Sequence, residues 1–251
     1  MTASTAWVDG PFQLLETPSA TKNVDDHPAH YIANEVAFAH NAMLRGPNAI
    51  YLQAPHISAT DISDFLFFVA SWSAWVVHHY TIEEDKMFPL FESVSGVKSL
   101  RQNVEQHHAF SGGLAELNKY ATTTSTEGYS GPKVQEMIRS FGSTLRTDLG
   151  DEIDTLWAMD SVPANTAGSE RLLSIYKQCE AEAGKQDKAI VPPMVLGLCD
   201  RTFQGGNDWP KMPLGSAWIV HYMFGRKHRG SWRFLPSDTW RNPKKLYALG
   251  E

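Results

Sequence analysis

In the stretch HYIANEVAFAHNAML, Ile32, Val36, His40 and Met43 or Leu44 recur at helical spacing, so residues 30–44 read as a helix with one buried face. Gly46-Pro47 predicts a break or kink after it. A second long helix is expected near 60–92, with Asp61 suited to cap it, FLFFVASWSAWVV as its apolar body and Pro89 near its end. SVSG then gives a turn. Leu100, Val104, His107, Leu114 and Leu117 share a face of a third helix at about 97–121. The run ATTTSTEGYSGP is a loop rich in Thr, Ser and Gly. A fourth helix, about 132–158, presents Phe141, Leu145, Asp148, Glu152 and Thr155 or Leu156 on one face. ERLLSIYKQCEAEA predicts a fifth. Residues 1–28 look irregular, with Gly10, Pro11, Pro18 and Pro28. Beyond about 186 no long helical period remains, and the Trp-, Pro- and Gly-rich remainder reads as an extension packed on the helices. The expected class is all-α.

Composition narrows this picture without changing it. A chain of 251 residues with 42% hydrophobic and 20% charged residues can bury a sizeable core without disulfides. Its two cysteines, Cys179 and Cys199, lack CxxC spacing and read as reduced thiols. A net charge of −6 argues against a general nucleic-acid binder, and RNPKK near the end reads as solvated surface. MTASTAWVDGPFQLLE has no basic stretch followed by an apolar one, so no signal peptide is expected. The run Phe65–Val77 is too short to span a bilayer. A cytoplasmic protein with no membrane span follows. There is no tandem repeat, and the sequence leaves the oligomeric state open.

The chemistry lies on the helical faces. His79 and Glu83 stand four residues apart, on the face that is apolar at Trp72, Trp75 and Val76. The fourth helix repeats this with Asp148 and Glu152: Met87-Phe88 follows the first pair and Leu156-Trp157 the second at the same offsets. His40 and His107 add one imidazole each from the first and third helices. One histidine on an apolar face is ordinary; six ligand-type groups on four aligned faces are not. Three buried carboxylates without counter-charge would each cost several kcal/mol or stay protonated. Two divalent ions (+4) against Glu83, Asp148 and Glu152 (−3) leave +1, which one hydroxide neutralises. His40, His79, Glu83, His107, Asp148 and Glu152 are therefore the candidate metal ligands, with Asp148 and Glu152 also the candidate catalytic groups. Imidazole with carboxylate suits iron, and also manganese or zinc.

HPAHYIANEVAFAHNAMLRG, HHYTIEEDKMFP, NVEQHHAF and DLGDEIDTL together resemble the hemerythrin-like (HHE cation-binding) family, especially its fungal branch. His79, Glu83 and Phe88-Pro89 match its histidine–glutamate–Phe-Pro motif in full, and His40 and His107 match its first- and third-helix histidines. The resemblance covers roughly residues 30–158. It implies an up-down four-helix bundle over 29–158, preceded by an irregular segment, 1–28, and followed by an extra helix and irregular extension, 159–251, packing on the bundle. It also implies a non-haem di-iron site bridged by Glu83 and Glu152. One position departs: Asp148 stands where the family carries histidine. Three outcomes stay open: an altered second metal, a single metal, or a scaffold turned to acid–base work.

Other polar residues read as structural. His78 and Glu84 point off the seam, either solvated or supporting the ligands from behind, and His108 is surface. His27 and His30 belong to a loop, Trp72 and Trp75 to the core, and His221 and His228 have no partner spacing. Three functions fit. The first is an enzyme acting on a lipophilic small molecule, with dioxygen as a partner activated at the metal; the resemblance associates it with fungal secondary metabolism. The second is a dioxygen or iron carrier or sensor. The third is a non-redox dehydratase or cyclase, for example of hetero-Diels–Alder type, with Asp148 as acid or base.

Overall fold

The computed structural model describes residues 7–250; residues 1–6 of the expected irregular segment lie outside them. Among the described residues every regular element is helical, apart from one isolated bridge between Ser237 and Pro243.

Helix α1 (Pro28–Gln53) starts at His27, whose Nδ1 accepts the N–H of Ala29 at 3.0 Å, with proline at the first helical position. It runs on through Pro47, against the break that Gly46-Pro47 predicts. Proline strips the Met43 carbonyl of its helical donor. Trp72 Nε1 replaces that donor at 3.1 Å. A β-carbon at Gly46 would collide with the same indole. The dipeptide is a notch for Trp72, not a stop signal.

The single helix expected near 60–92 is three segments: α2 (Ile62–Ile82), a π turn over Glu83–Met87, and α3 (Phe88–Ser95), which ends on Gly96 with φ 70°. The Asp61 side chain caps nothing; its carboxylate instead pairs with Arg233 at 2.9 Å. Helices α4 (Leu100–Thr123), α5 (Gly131–Trp157) and α6 (Ala167–Ala183) follow. Ser130 caps α5, and Thr166 with Ser169 forms a capping box at α6. The remainder holds short helices: α7 (Val191–Leu198), α8 (Ser216–Tyr222) and α9 (Arg229–Trp232).

Helix α4 packs against α2 and α5, and α5 against α1. Helices α6 and α7 each contact both α1 and α2. One hydrophobic cluster joins Phe65, Trp72, Leu114 and Leu145 to Met194, Phe234 and Leu235 of the C-terminal part. Each such buried side chain contributes about 1.5–3 kcal/mol. The first helix is buried on its polar side too. Asn48 donates to the carbonyls of Val8 and Phe12, and Asn41 to that of Leu15, so two amides hold the N-terminal segment onto α1. No helix among the described residues is long and apolar enough to cross a membrane.

Candidate metal centre

The four long helices each deliver their polar face to one buried point. His40 and Glu152 are 0% exposed, Asp148 1%, and Glu83 and His107 2%; the His79 side chain keeps 22%. Ligand atoms of His40, His79 and Glu83 lie within 4.8 Å of one another, and so do those of Glu83, His107 and Glu152. The two triads share Glu83. Asp148 joins the second through Oδ2, 3.7 Å from His107 Nε2. All six residues singled out in the sequence thus meet in one cluster.

Two of the imidazoles have a fixed tautomer. His40 Nδ1 lies 2.8 Å from the Leu149 carbonyl, and His107 Nδ1 lies 2.9 Å from Glu84 Oε1. Both partners only accept, so both Nδ1 atoms carry a proton. His40, which burial keeps neutral, turns an Nε2 lone pair to the cluster, and His107 turns its Nε2 there too. Both Nε2 atoms face carboxylate oxygens. His40 Nε2 is 3.5 Å from Glu152 Oε2, and His107 Nε2 is 3.8 Å from Glu83 Oε2 and 3.7 Å from Asp148 Oδ2. Acceptor against acceptor in a buried site requires a proton or a cation between them.

The electrostatics point the same way. Burial, then the charge of Glu83, pushes the Asp148 carboxyl up to about 8. Burial, with Glu83 and Asp148 adding to it, holds Glu152 well above the carboxylate range. Neither oxygen of either group has a hydrogen-bond partner among the described residues. Burial would raise Glu83 too, but the His79 imidazole, with His40 and His107 behind it, brings it below the ordinary value. His79 Nε2 lies 2.7 Å from Glu83 Oε1 and 3.3 Å from His40 Nε2. His40 itself is pushed down to about 3 by burial and by His79.

An apolar cavity of about 310 Å³ opens onto one side of this cluster. It is lined by Val36 of α1, Trp75 of α2, Tyr176 and Cys179 of α6, Val195 of α7 and Trp209-Pro210. His79 and Glu83 line it; His40, His107, Asp148 and Glu152 do not.

No family model matches the chain, and no solved structure matches it. Over 251 aligned residues, 97% of this chain and 93% of the relative, it is 35% identical to the dimeric xanthone biosynthesis cluster protein R11 of Cryptosporiopsis sp. (strain 8999). The chain belongs to the family of that protein.

In this R11-family chain four of the other histidines, His27, His30, His221 and His228, have structural partners, while the half-buried His78 leaves its Nε2 without one among the described residues. His27 caps α1 and contacts the Val162 carbonyl, and His30 sits between Asp26 and Asp160 and stacks on Trp157. His221 meets the Thr239 hydroxyl, His228 stacks on Phe67, and His108 is exposed. Glu84 is the polar group whose part at the site the sequence leaves undecided. It neighbours Glu83, and the π turn sets Glu83 into the core while Glu84 reaches His107 from the other side. A histidine whose far nitrogen binds a carboxylate is the usual support of a metal-ligating imidazole. The cavity wall from α6 and α7 carries no motif that sequence reading could have singled out.

Proposed function

We propose that this protein is a metal-dependent enzyme of secondary metabolism that acts on a lipophilic small molecule. Its scaffold is read as an up-down four-helix bundle of the hemerythrin-like kind. The facing acceptors carry the metal reading: four unpartnered carboxylate oxygens on Asp148 and Glu152 meet inward-turned imidazole nitrogens, a ligand set that suits divalent cations. His40, His79 and Glu83 would hold one ion, and Glu83, His107 and Glu152 a second, with Asp148 beside it. Iron fits this set of imidazoles and carboxylates, as do manganese and zinc. Bound there, the ions would supply Lewis-acid polarisation of a substrate oxygen or activation of dioxygen.

The chain's own residues supply the rest. The relative belongs to a xanthone biosynthesis cluster, and a cavity of about 310 Å³ walled by Trp75, Val195 and Trp209 suits a flat aromatic molecule. Only His79 and Glu83 of the cluster border that cavity, so substrate would approach from their side. A cavity this large also favours turnover over simple dioxygen carriage.

One observation favours the acid–base alternative, a dehydratase or cyclase: Asp148, pushed up to about 8, holds a proton at neutral pH when no cation is near. Its separation from the cavity counts against direct proton transfer to substrate. Metal analysis of protein purified without added metal decides first. Iron, manganese or zinc should be present and should be lost in Glu83→Ala. A folded protein that holds none of them, and takes up none from solution, overturns the metal reading. Turnover that persists anaerobically in chelator, and fails in Asp148→Asn, would establish the alternative.

A further inference from the structure

The chain has a net charge of −6, yet residues 209–237 contain Lys211, Arg226, Lys227, Arg229 and Arg233 and no aspartate or glutamate. The same stretch holds most of the large apolar side chains left in solvent: Leu214 at 106% exposure, Trp218 at 59%, Ile219 at 45%, Tyr222 at 49% and Met223 at 64%. Positions 218, 219, 222 and 223 are two neighbouring pairs one helical turn apart, so they form one face of α8 and its end. Val220 is the residue by which α8 is buried. Arg233 is engaged by Asp61 and Asp64. Arg226, Lys227 and Arg229 are exposed and have no carboxylate within ion-pair distance among the described residues.

We infer that this face docks on the surface of an anionic lipid bilayer. An apolar face carrying tryptophan and tyrosine, flanked by free cations, inserts at the level of the headgroups while the cations meet lipid phosphates. The charge selects this occupant over a second copy of the chain. Isologous pairing through the same face would bring together two copies of a stretch that has Arg226, Lys227 and Arg229 and no carboxylate to meet them. The location gives docking a use. Trp209 and Pro210, which line the apolar cavity, lie within five residues of Leu214 in the chain. A lipophilic ligand dissolved in the bilayer would have a short path to the cavity.

The test is co-sedimentation of the full chain with vesicles of phosphatidylcholine alone and of phosphatidylcholine mixed with phosphatidylserine. Binding should need phosphatidylserine and should fall as salt is raised. Each surface cation contributes about five-fold to partitioning, so the R226Q/K227Q/R229Q variant should bind roughly 100-fold more weakly. The double variant Leu214→Ser, Met223→Ser should weaken binding at every salt concentration. Both sets of positions are solvent-exposed, and circular dichroism checks that each variant stays folded; either one alone is a sufficient test. Absence of binding at low salt, or equal binding to both kinds of vesicle, overturns the inference. So does a dimer in solution that the double serine variant dissolves, which would assign the face to a second copy.

Discussion

Helices α2 and α5 carry the same device, an acid four residues after a ligand-type group, and the two halves of the site behave differently. At the end of α2 and the start of its π turn the pair is His79 and Glu83. Imidazole and carboxylate compensate each other at 2.7 Å, Glu83 sits below its ordinary pKa, and both side chains border the cavity. On α5 the pair is Asp148 and Glu152. Two acids share a sealed interior, both are raised by burial and by Glu83, and their four oxygens lack donors. One residue type, histidine against aspartate, makes the difference. The α2 pair can exist in the protein by itself, while the α5 pair needs protons or cations. The open half is therefore suited to meet substrate, and the closed half to hold positive charge.

The hardest test of this contrast is to remove the acid both triads share. Glu83→Ala should abolish metal binding at both positions, read by elemental analysis. It should also lower stability through the lost cations and the unpaired His79, although the α5 acids are relieved of the Glu83 charge. If Glu83→Ala instead loses only part of its metal, the triads do not share this ligand. Next in size is removal of the metal itself. A cation present at about 1,000 times its Kd stabilises by roughly 4 kcal/mol. For a chain of this size that is a fall in Tm of about 10 °C on chelation. Glu152→Gln should lose only part of this sensitivity, since the amide needs no counter-charge while the ion of the His40, His79 and Glu83 triad stays in place. An unchanged Tm after verified removal would show that the α5 acids are content as neutral groups.

The contrast also marks how far the sequence could be read. His40, His79, Glu83, His107, Asp148 and Glu152 could be found because a regular helix converts spacing into direction, and these six lie on apolar stripes. What escaped depends on contacts distant in the chain. Pro47 passes inside α1 because an indole 25 residues further on replaces its missing donor. Glu84 reaches His107 only through a π turn, which no local periodicity signals. The cavity wall comes from α6 and α7, whose apolar residues look like any helix packed on a core. The seam was thus legible; its support by Glu84 stood as one of two readings, and the space beside it was not legible.

A smaller effect sharpens the role of Glu84. As the acceptor for His107 Nδ1–H at 2.9 Å, it fixes the orientation of the ring. Glu84→Ala should weaken the ion held by His107 by about 10–100-fold and spare the one at His40 and His79. Two-step metal titration resolves them. Equal weakening of both, or of neither, would reduce Glu84 to a surface contact.

The smallest expected effect supplies the control. Glu35 on α1 is a buried carboxylate, 7% exposed, that lies outside both triads. Burial pushes it up to about 7, Lys211 pulls it down, and Glu180 and Asp208 add to the rise. In the unfolded chain it releases its proton near the ordinary value of 4.5. Between these two values the folded state binds more protons than the unfolded one, so Glu35 makes stability fall as pH rises from about 4.5 to about 7 and adds no slope above that. Allowing for solvent screening, the loss is about 1–2 kcal/mol. Glu35→Gln should therefore match the wild type at the acid end and exceed it by that amount at pH 8, measured by denaturant unfolding of the two proteins side by side. Adding metal should leave this difference intact, since Glu35 does not share the cations that relieve Asp148 and Glu152. If saturating metal erases the Glu35→Gln gain, the cluster's charge reaches Glu35, and the division into self-compensated and cation-requiring acids has to be redrawn. If the two unfolding curves stay parallel at every pH without metal, burial alone does not raise carboxylates in this core, and the argument for cations at α5 loses its electrostatic half.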